Sequence, residues 1–565
     1  MQSRPWLAHY DPGVPETIQY PRVPVYHFLE EAARKYPDQP CTVFRDDIIR
    51  YGEMNALVDR LASALAAMGV RRGDRLGILL PNLPQFVLVY YAVLKAGGVV
   101  VATNPQYKQR ELEYQLGNAG VETVVCLSSA YPLLNEVREH IPLRRVLLTR
   151  LEDAFEMKLW QPGFVSTAVA EDGQPDTALA LQPGDSWLRD VLLQQPVGGR
   201  ADVPVSADDA AIFQYSGGTT GIPKGAIGLH RNLVSNSLMF RRWLVGLEEG
   251  RETTLMAIPM YHVYGMVVGM AVSILLGSKM VLIPDPRNLH DLLSNIEKYR
   301  ASFFPGVPSM YAVINQNPDV QAGKYNLRSI RACISGSAPL LKEVKERFEA
   351  LTGAQLMEGY GLSEAPTATH CNPMLGEKRA GSIGLPLPDV DCRIVSLEDG
   401  QTVLPPGEIG ELVLRSPQVM QGYYNMPEET ATALRGGWLY TGDIARMDAD
   451  GYFYIVDRKK EMIKVSGFQV WPREIEEVIA AHPKVAEVSV AGVPDPIRGE
   501  APKAWVVLRP GQIAEPEEIR AWCADALVYY KTPIAVEFRD TLPRTPVGKV
   551  LRRELVRQHL EGQGQ

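Results

Sequence analysis

The sequence lacks several features that would assign it to a class at once. Its six cysteines, at positions 41, 126, 333, 371, 392 and 523, are scattered and include no C-x-x-C pair. This spacing argues against a disulfide framework or a thiolate zinc site and suits buried thiols in a reducing compartment. Positive charge is not in surplus. A formal net charge of −8 over 565 residues argues against the basic stripe of a dedicated nucleic-acid binder. The opening stretch, MQSRPWLAHYDPGVPE, is polar and proline-rich, with no apolar signal segment. Thr253 to Ser278 carries no Asp, Glu, Lys or Arg, but Pro259, His262, Gly265 and Gly269 interrupt it. A membrane-spanning helix needs about 20 mainly apolar residues, so the run reads as a buried apolar wall suited to a greasy ligand. There is no internal repeat or low-complexity tract. The expectation is a cytoplasmic protein of ordinary composition, long enough for two or more domains.

Glycine is concentrated in one place. Residues 215–225 read YSGGTTGIPKG, four glycines in eleven positions. Glycine loses more backbone entropy on folding than any other residue. A loop that wraps an anion with bare N–H groups and hydroxyls gives such a cluster a purpose. It is neither common recipe. Lys224 follows Pro223 and precedes Gly225, so the hydroxyl that follows lysine in a Walker loop is missing, and adjacent Gly217 and Gly218 break a G-x-G-x-x-G fingerprint. A strand over Ala211–Tyr215 and a helix over Leu229–Trp243 predict a strand–loop–helix binding unit rather than a linker. Ser216, Gly217, Gly218, Thr219, Thr220, Gly221 and Lys224 are its candidate phosphate ligands.

From Tyr51 onward helices and strands alternate: Gly52–Met68, Arg75–Leu80, Pro84–Ala96 and Val99–Ala102. This rhythm predicts an α/β fold with a largely parallel sheet covered on both faces. Residues 150–200 read as an irregular insertion, and residues 404–412 as turns between short strands. A new pattern starts near 457. It comprises a hairpin over Ile463–Val470, a helix over Pro472–Ala481, strands over Val485–Ala491 and Ala501–Leu508, and a helix over Pro516–Leu527. A tail of about 105 residues is the size of a small domain, giving expected domains of 1–457 and 458–565.

Four further stretches carry chemistry, each with a plainer alternative. In Glu358-Gly-Tyr-Gly-Leu-Ser-Glu364, glycines flank an aromatic that could stack on a flat ligand, and Glu364 could hold Mg²⁺ or be a solvated turn residue. Asp443 closes WLYTGD as a ribose acid or a turn aspartate. His262 of PMYH is a site residue or a core histidine. Lys549 of PRTPVGK is a ligand or an exposed charge.

Taken together, in chain order, these segments resemble the adenylate-forming superfamily from about Tyr51 to Glu554. YSGGTTGIPKG is similar to its signature loop, followed by PMYH, GSAP (336–339), EGYGLSE, GSIGLP (381–386), WLYTGD, DRKKEMIKVSG and PRTPVGK. IVDRKKEMIKVSGF, GVPDPIRGE, YYKTP and VGKVLRREL are most similar to bacterial long-chain fatty-acid–CoA ligases. Ser363 stands where the family usually has threonine, and Ser416 where many relatives have glycine.

The resemblance implies a large N-terminal domain of mainly parallel sheets with a small β-barrel-like subdomain, and a small α+β C-terminal domain rotating about a hinge at Lys460. It implies ATP, Mg²⁺ and coenzyme A, and two half-reactions through an acyl-AMP. The implied catalytic residues are Lys549, Glu364, His262 and Ser363. The phosphate loop, Glu364 and Thr219 would hold the metal-bound triphosphate. Gly336, Ser337, Ala338, Pro339, Glu358, Gly359, Tyr360 and Gly361 would flank adenine, and Asp443, Ile455 and Arg458 the ribose. Lys460, Lys464, Gly467 and Lys531 would serve the second step. Val263, Tyr264, Gly265, Gly269, Gly306 and Val307 would wall an acyl tunnel. Expected partners are small molecules, without nucleic acid; peripheral membrane contact and a homodimer stay open. Rival readings are an enzyme for another acid class, one loading a carrier protein, a luciferase-like oxygenase, and a non-catalytic fatty-acid-binding protein. An amino-acid-activating enzyme would carry an acid where His262 stands.

Overall fold

The structure, a computed structural model, describes residues 4–160, 179–196, 198–199, 203–216, 223–466, 468–545 and 548–563. It divides into two compact units, one of His9–Val390 with Arg415–Leu434, the other of Met1–Ala8, Asp391–Leu414 and Arg435–Gln565.

The larger unit is built on two sheets. One has nine strands, in the order Leu385–Pro386, Ala365–Cys371, Gln355–Leu362, Ala332–Ser335, Phe303–Gly306, Thr253–Met256, Lys279–Leu282, Pro40–Phe44 and Asp47–Arg50. Its interior pairs are parallel and its outer pairs antiparallel. The other has seven, in the order Ser186–Trp187, Arg145–Thr149, Thr123–Leu127, Arg75–Leu79, Val99–Ala102, Ala210–Ser216 and Lys224–Leu229. Apolar runs such as Val99-Val-Val-Ala102, buried throughout, are what a parallel strand covered on both faces requires. The helices follow local signals. Tyr51–Ala67 begins where Glu53 reaches back to the Arg50 N–H (2.7 Å), and Pro84 opens the buried helix Pro84–Lys95.

The expected strand–loop–helix is corrected. Lys224–Leu229 is a strand, paired antiparallel with Ala210–Ser216, and the helix starts only at His230. The glycine-rich segment therefore joins two strands of a hairpin and does not feed a helix N-terminus. The apolar faces of Ala226, Ile227 and Leu229 favour sheet pairing over helix extension. The charge-free run is likewise divided, into a strand (Thr253–Met256), a π-helical stretch (Gly265–Ala271) and a short helix (Val272–Leu275). Among the described residues no helix is long and apolar enough to cross a membrane.

The second unit holds an antiparallel sheet of Asp391–Val395, Gly410–Arg415, Trp438–Met447 and Phe453–Arg458, with the short strand Leu434–Arg435 at its edge. Its other sheet contains Phe468–Val470, Ile463–Val465, Gly499–Leu508, Val485–Asp495 and Ala535–Phe538, with helices Pro472–Ala480, Pro516–Ala526 and Arg552–Gln563. The unit reaches back beyond residue 457. Part of that link is Arg473, which donates its backbone N–H to Asp457 (2.8 Å) and its guanidinium to the Ile455 carbonyl (2.7 Å).

Candidate active site

In the nine-stranded sheet, the parallel pairing of three neighbouring strands stops in register, with Gly306 beside Ser335 and Ser335 beside Glu358, beyond which Gly359–Leu362 pair antiparallel with Ala365–Cys371. The residues that follow these pairs, Val307, Gly336–Pro339 and Gly359–Tyr360, therefore leave the sheet's parallel part on the same side. The carboxyl ends of parallel strands are where open α/β sheets bind ligands. Ser337 has φ 72°, a left-handed conformation rare for a non-glycine residue and typical of functional turns. Tyr360 lies edge-on to His370 with centroids 5.8 Å apart, and Glu358 accepts from the Leu340 N–H at 3.3 Å.

The glycines have internal reasons. A Cβ on Gly361 would fall 1.6 Å from the Thr367 carbonyl oxygen of the paired strand, and one on Gly336 3.3 Å from the Tyr264 ring. Gly361 is thus required by its neighbouring strand. Gly265 and Gly269 also pack closely on protein. Their added Cβ atoms would meet the Pro259 oxygen at 2.2 Å and Met256 Cε at 2.7 Å. The absence of a side chain at these glycines lets the segment pack against Pro259 and Met256. Val263 and Val307 are buried, and the Tyr264 hydroxyl donates toward the Gly306 (3.1 Å) and Ile334 (2.8 Å) carbonyls. Gly306 abuts the Tyr311 hydroxyl.

His262 follows the neighbouring strand on this sheet. Burial lowers its pKa to about 4, so the imidazole is neutral at pH 7. Its Nδ1 accepts from the Tyr264 N–H at 3.2 Å, which leaves the proton on Nε2. The ring is a neutral donor and not a cation.

The candidate phosphate ligands lie on or next to the hairpin. Gly217, Gly218, Thr219, Thr220 and Gly221 lie outside the described residues; Ser216 and Lys224 face each other as the last pair before them. The Pro223 carbonyl accepts from the Tyr114 hydroxyl at 2.8 Å. Lys224 pairs with Glu429 and lies over the Tyr423 ring, 5.3 Å from its centroid. The Tyr423 hydroxyl donates to Glu364 Oε1 at 2.7 Å; Ser363 is its half-buried neighbour. Among the described residues no cluster of three or more His, Cys, Asp or Glu could cage a metal. A single carboxylate with one oxygen anchored is the donor set that fits Mg²⁺ carried on substrate phosphates, since that ion keeps most of its oxygen ligands from water and phosphate.

In the second unit, Asp443 is buried and paired with Arg458 (2.6 Å), its partner across the strands. The strand runs on past Asp443 to Met447, with Gly442 in the left-handed region (φ 71°), so Asp443 sits inside a strand and not at its end. Ile455 lies opposite Ala445. Lys549 stands close to Arg458, Asp443 and Asp457. Burial first, then the Arg458 cation, lower its pKa to about 8, against the pull of the two aspartates. Lys460 is exposed in a short turn over Lys459–Glu461. The exposed Lys464 is held through its backbone by Glu500 (2.8 Å), and Lys531 pairs with Glu474 (2.6 Å). Gly467 is outside the described residues, after Ser466 at φ 50°.

Tyr423, Glu429 and an aromatic group went unread in the sequence. Phe468 stacks on Tyr530 at 4.4 Å and 9°, Tyr529 meets Tyr530 edge-on, and Phe468 and Tyr529 are 48 % and 74 % exposed. The QGYYN and VYYK pairs were the available signals, two adjacent aromatics beside polar residues. The Ser416 hydroxyl is buried without a hydrogen-bond partner among the described residues.

Comparison with known proteins places this geometry. The family model for the AMP-binding enzyme matches residues 29–424, and that for the AMP-binding enzyme C-terminal domain matches 474–549. A long-chain-fatty-acid–CoA ligase of Bacillus subtilis is 40 % identical over 566 residues, covering 99 % of each chain. One of Yersinia pestis is 38 % identical over 557 residues, 97 % of each. Among solved structures, ATP-bound MatB from Rhodopseudomonas palustris superposes with TM-score 0.81 at 29 % identity, over 95 % of this chain and 99 % of that one. The anthranilate CoA ligase AuaEII in complex with anthranoyl-AMP gives TM-score 0.82 at 26 % identity, over 95 % and 97 %.

Proposed function

The chain belongs to the AMP-binding enzyme family, and from that premise we propose that it is an ATP-dependent fatty acid–CoA ligase acting on medium- and long-chain acids. The observation that carries the reading is the assembly of a nucleotide-type sheet edge, a metal-type carboxylate and a phosphate-side lysine in a chain 40 % identical to a long-chain-fatty-acid–CoA ligase.

A fatty acid is ionised at neutral pH, by analogy with side-chain carboxyls of pKa about 4, so the first step needs no base. A carboxylate oxygen attacks the α-phosphorus, the bond to the bridging oxygen breaks, and pyrophosphate leaves. What the step needs is two anions held in line with their charge offset. Lys549 is the clamp between carboxylate and α-phosphate. Ser216 to Gly221 and Lys224 cradle the outer phosphates. Glu364 and Thr219 would hold the Mg²⁺ of the nucleotide, which would supply charge neutralisation there. Neutral His262 donates from Nε2 to the acid's carboxylate without adding a second cation. Adenine lies along Gly336–Pro339 and Tyr360, and the ribose hydroxyls donate to Asp443.

In the second step the CoA sulfur attacks the acyl carbon and AMP leaves. The thiol's pKa of about 8.5 gives a modest thiolate fraction at neutral pH. Domains 1–457 and 458–565 exchange orientation about Lys460 between the steps, bringing Lys464 and Gly467 to the pantetheine. Lys531 and the exposed Phe468–Tyr530 stack offer a cation and a flat face to the CoA nucleotide. Each methylene buried contributes about 0.8 kcal/mol, so chain length sets affinity. The enzyme works in the cytoplasm, where ATP and CoA occur. Peripheral membrane contact and a homodimer are compatible with this chemistry and not required by it.

The test is thioester formation with ATP, Mg²⁺ and CoA across acids from acetate to oleate. Product peaking between medium and long chains supports the reading. Product with short or aromatic acids alone would replace the substrate class, and acyl-AMP without thioester would favour a carrier-protein acceptor.

A further inference from the structure

Residues 421–424 run beside the phosphate hairpin and are fixed there by the backbone. The Gln421 N–H donates to the Ile227 carbonyl (2.9 Å), the Ile227 N–H to Gly422 (2.9 Å), and the Tyr424 N–H to Gly225 (2.8 Å). Tyr423 faces Ala226 in an antiparallel bridge, and its own N–H donates to Thr430 Oγ1 at 2.8 Å. Gly422 fixes the segment further, because a Cβ there would fall 2.7 Å from Thr430 Cγ2. The Tyr424 ring lies against Phe213 of the hairpin's first strand, 4.6 Å between centroids. From this anchored backbone one side chain reaches two charges of the site. The hydroxyl donates to Glu364 Oε1 at 2.7 Å, and the ring face lies 5.3 Å from the Lys224 ammonium.

We propose that Tyr423 is a positioning residue that holds the Glu364 carboxylate in place for the Mg²⁺ of MgATP and seats Lys224 beside the phosphates. The inference rests on the reading of Glu364 as the metal carboxylate. A glutamate has three side-chain torsions, and a hydrogen bond to a fixed hydroxyl limits the orientations open to its other oxygen. The ring face favours the lysine cation over a neutral or anionic occupant. Both groups are thus arranged before ATP arrives, which reduces the ordering cost of binding.

The test is calorimetric titration of the full chain with ATP plus Mg²⁺ and with ATP plus EDTA, for wild type, Tyr423→Phe, Tyr423→Leu and Glu364→Gln. The quantity read is the factor by which Mg²⁺ strengthens ATP binding. Wild type shows a clear enhancement and Glu364→Gln loses most of it. Tyr423→Phe, which keeps the ring and the backbone anchoring, loses about tenfold or more of it, the scale of one hydrogen bond to a charged group. Its EDTA affinity stays within about twofold, whereas Tyr423→Leu also weakens ATP binding in EDTA, because Lys224 loses its ring. A merely structural role would lower both affinities together and would overturn the proposal. Full Mg²⁺ enhancement in Tyr423→Phe beside its loss in Glu364→Gln would overturn the role of Tyr423 and leave the Glu364 reading standing. Full enhancement in Glu364→Gln would overturn the Glu364 reading itself.

Discussion

Lys224 and Lys549, one in each unit and both proposed above to serve the nucleotide's phosphates, have different surroundings. Lys224 is paired with Glu429 and lies over the Tyr423 ring. Lys549 makes no ion pair with a described residue; burial and the Arg458 cation lower its pKa to about 8. The first lysine has its charge offset before any ligand arrives. The second lacks such a partner, so the folded state without ligand disfavours its cation. A lysine of the first kind binds by exchanging one anion for another, and gains little beyond ground-state affinity. One of the second kind gains most when a concentrated negative charge is placed against it, as in the transition state of adenylyl transfer to the carboxylate.

This contrast can be broken experimentally. The largest expected effect is on Lys549→Ala, in which acyl-AMP formation falls by about 10²–10³-fold or more, the scale of losing one preorganised charge-stabilising donor. Single-turnover thioester formation from supplied acyl-AMP is retained. Equal losses in both half-reactions would remove the distinct role of Lys549. The second effect is on pH. Lys549 is cationic below about pH 8, so kcat/KM for acyl-AMP formation falls above that value by about tenfold per pH unit. Lys549→Arg, if it retains turnover, moves the falling limb to higher pH, because guanidinium does not titrate in that range. Neutral His262, with a pKa of about 4, contributes no limb between pH 5 and 8. A profile flat to pH 10 would contradict the depressed pKa of Lys549. Third, Lys224→Ala raises the dissociation constant for MgATP by about tenfold, one charge-assisted contact, and changes the turnover of bound substrate less. The smallest effect is on Glu429→Gln. Glu429 is 51 % exposed and Lys224 14 %, and exposed pairs are worth about 0–1 kcal/mol, so releasing Lys224 lowers KM for ATP by at most about fivefold. A higher KM would show that Glu429 supports the site instead of occupying it.

Much of the fold was legible because local and tertiary preferences agreed. Val99–Ala102 was expected and found with those bounds, and Pro84 and Pro472 open the helices expected there. The hairpin was not legible. Lys224–Leu229 is short, glycine-containing and continuous with a helix, and only its pairing with Ala210–Ser216 and with 421–424 makes it a strand. The site glycines show the same limit. Gly361 and Gly265 also have a steric reason, the close approach of the Thr367 and Pro259 backbones, a contact between segments that spacing does not reveal. Tyr423 escaped for a related reason: its partners Glu364 and Lys224 are 59 and 199 positions away. Lys549, by contrast, could be named from its motif, while its lowered pKa needed the burial and the Arg458 cation that only the folded unit supplies.

The most direct measurement of the central claim is acid-dependent exchange of labelled pyrophosphate into ATP with CoA omitted, followed by product analysis once CoA is added. Exchange that requires a medium- or long-chain acid, and then yields acyl-CoA with AMP, is the predicted result. No exchange with any acid, or ADP in place of AMP, would contradict the adenylate-forming account.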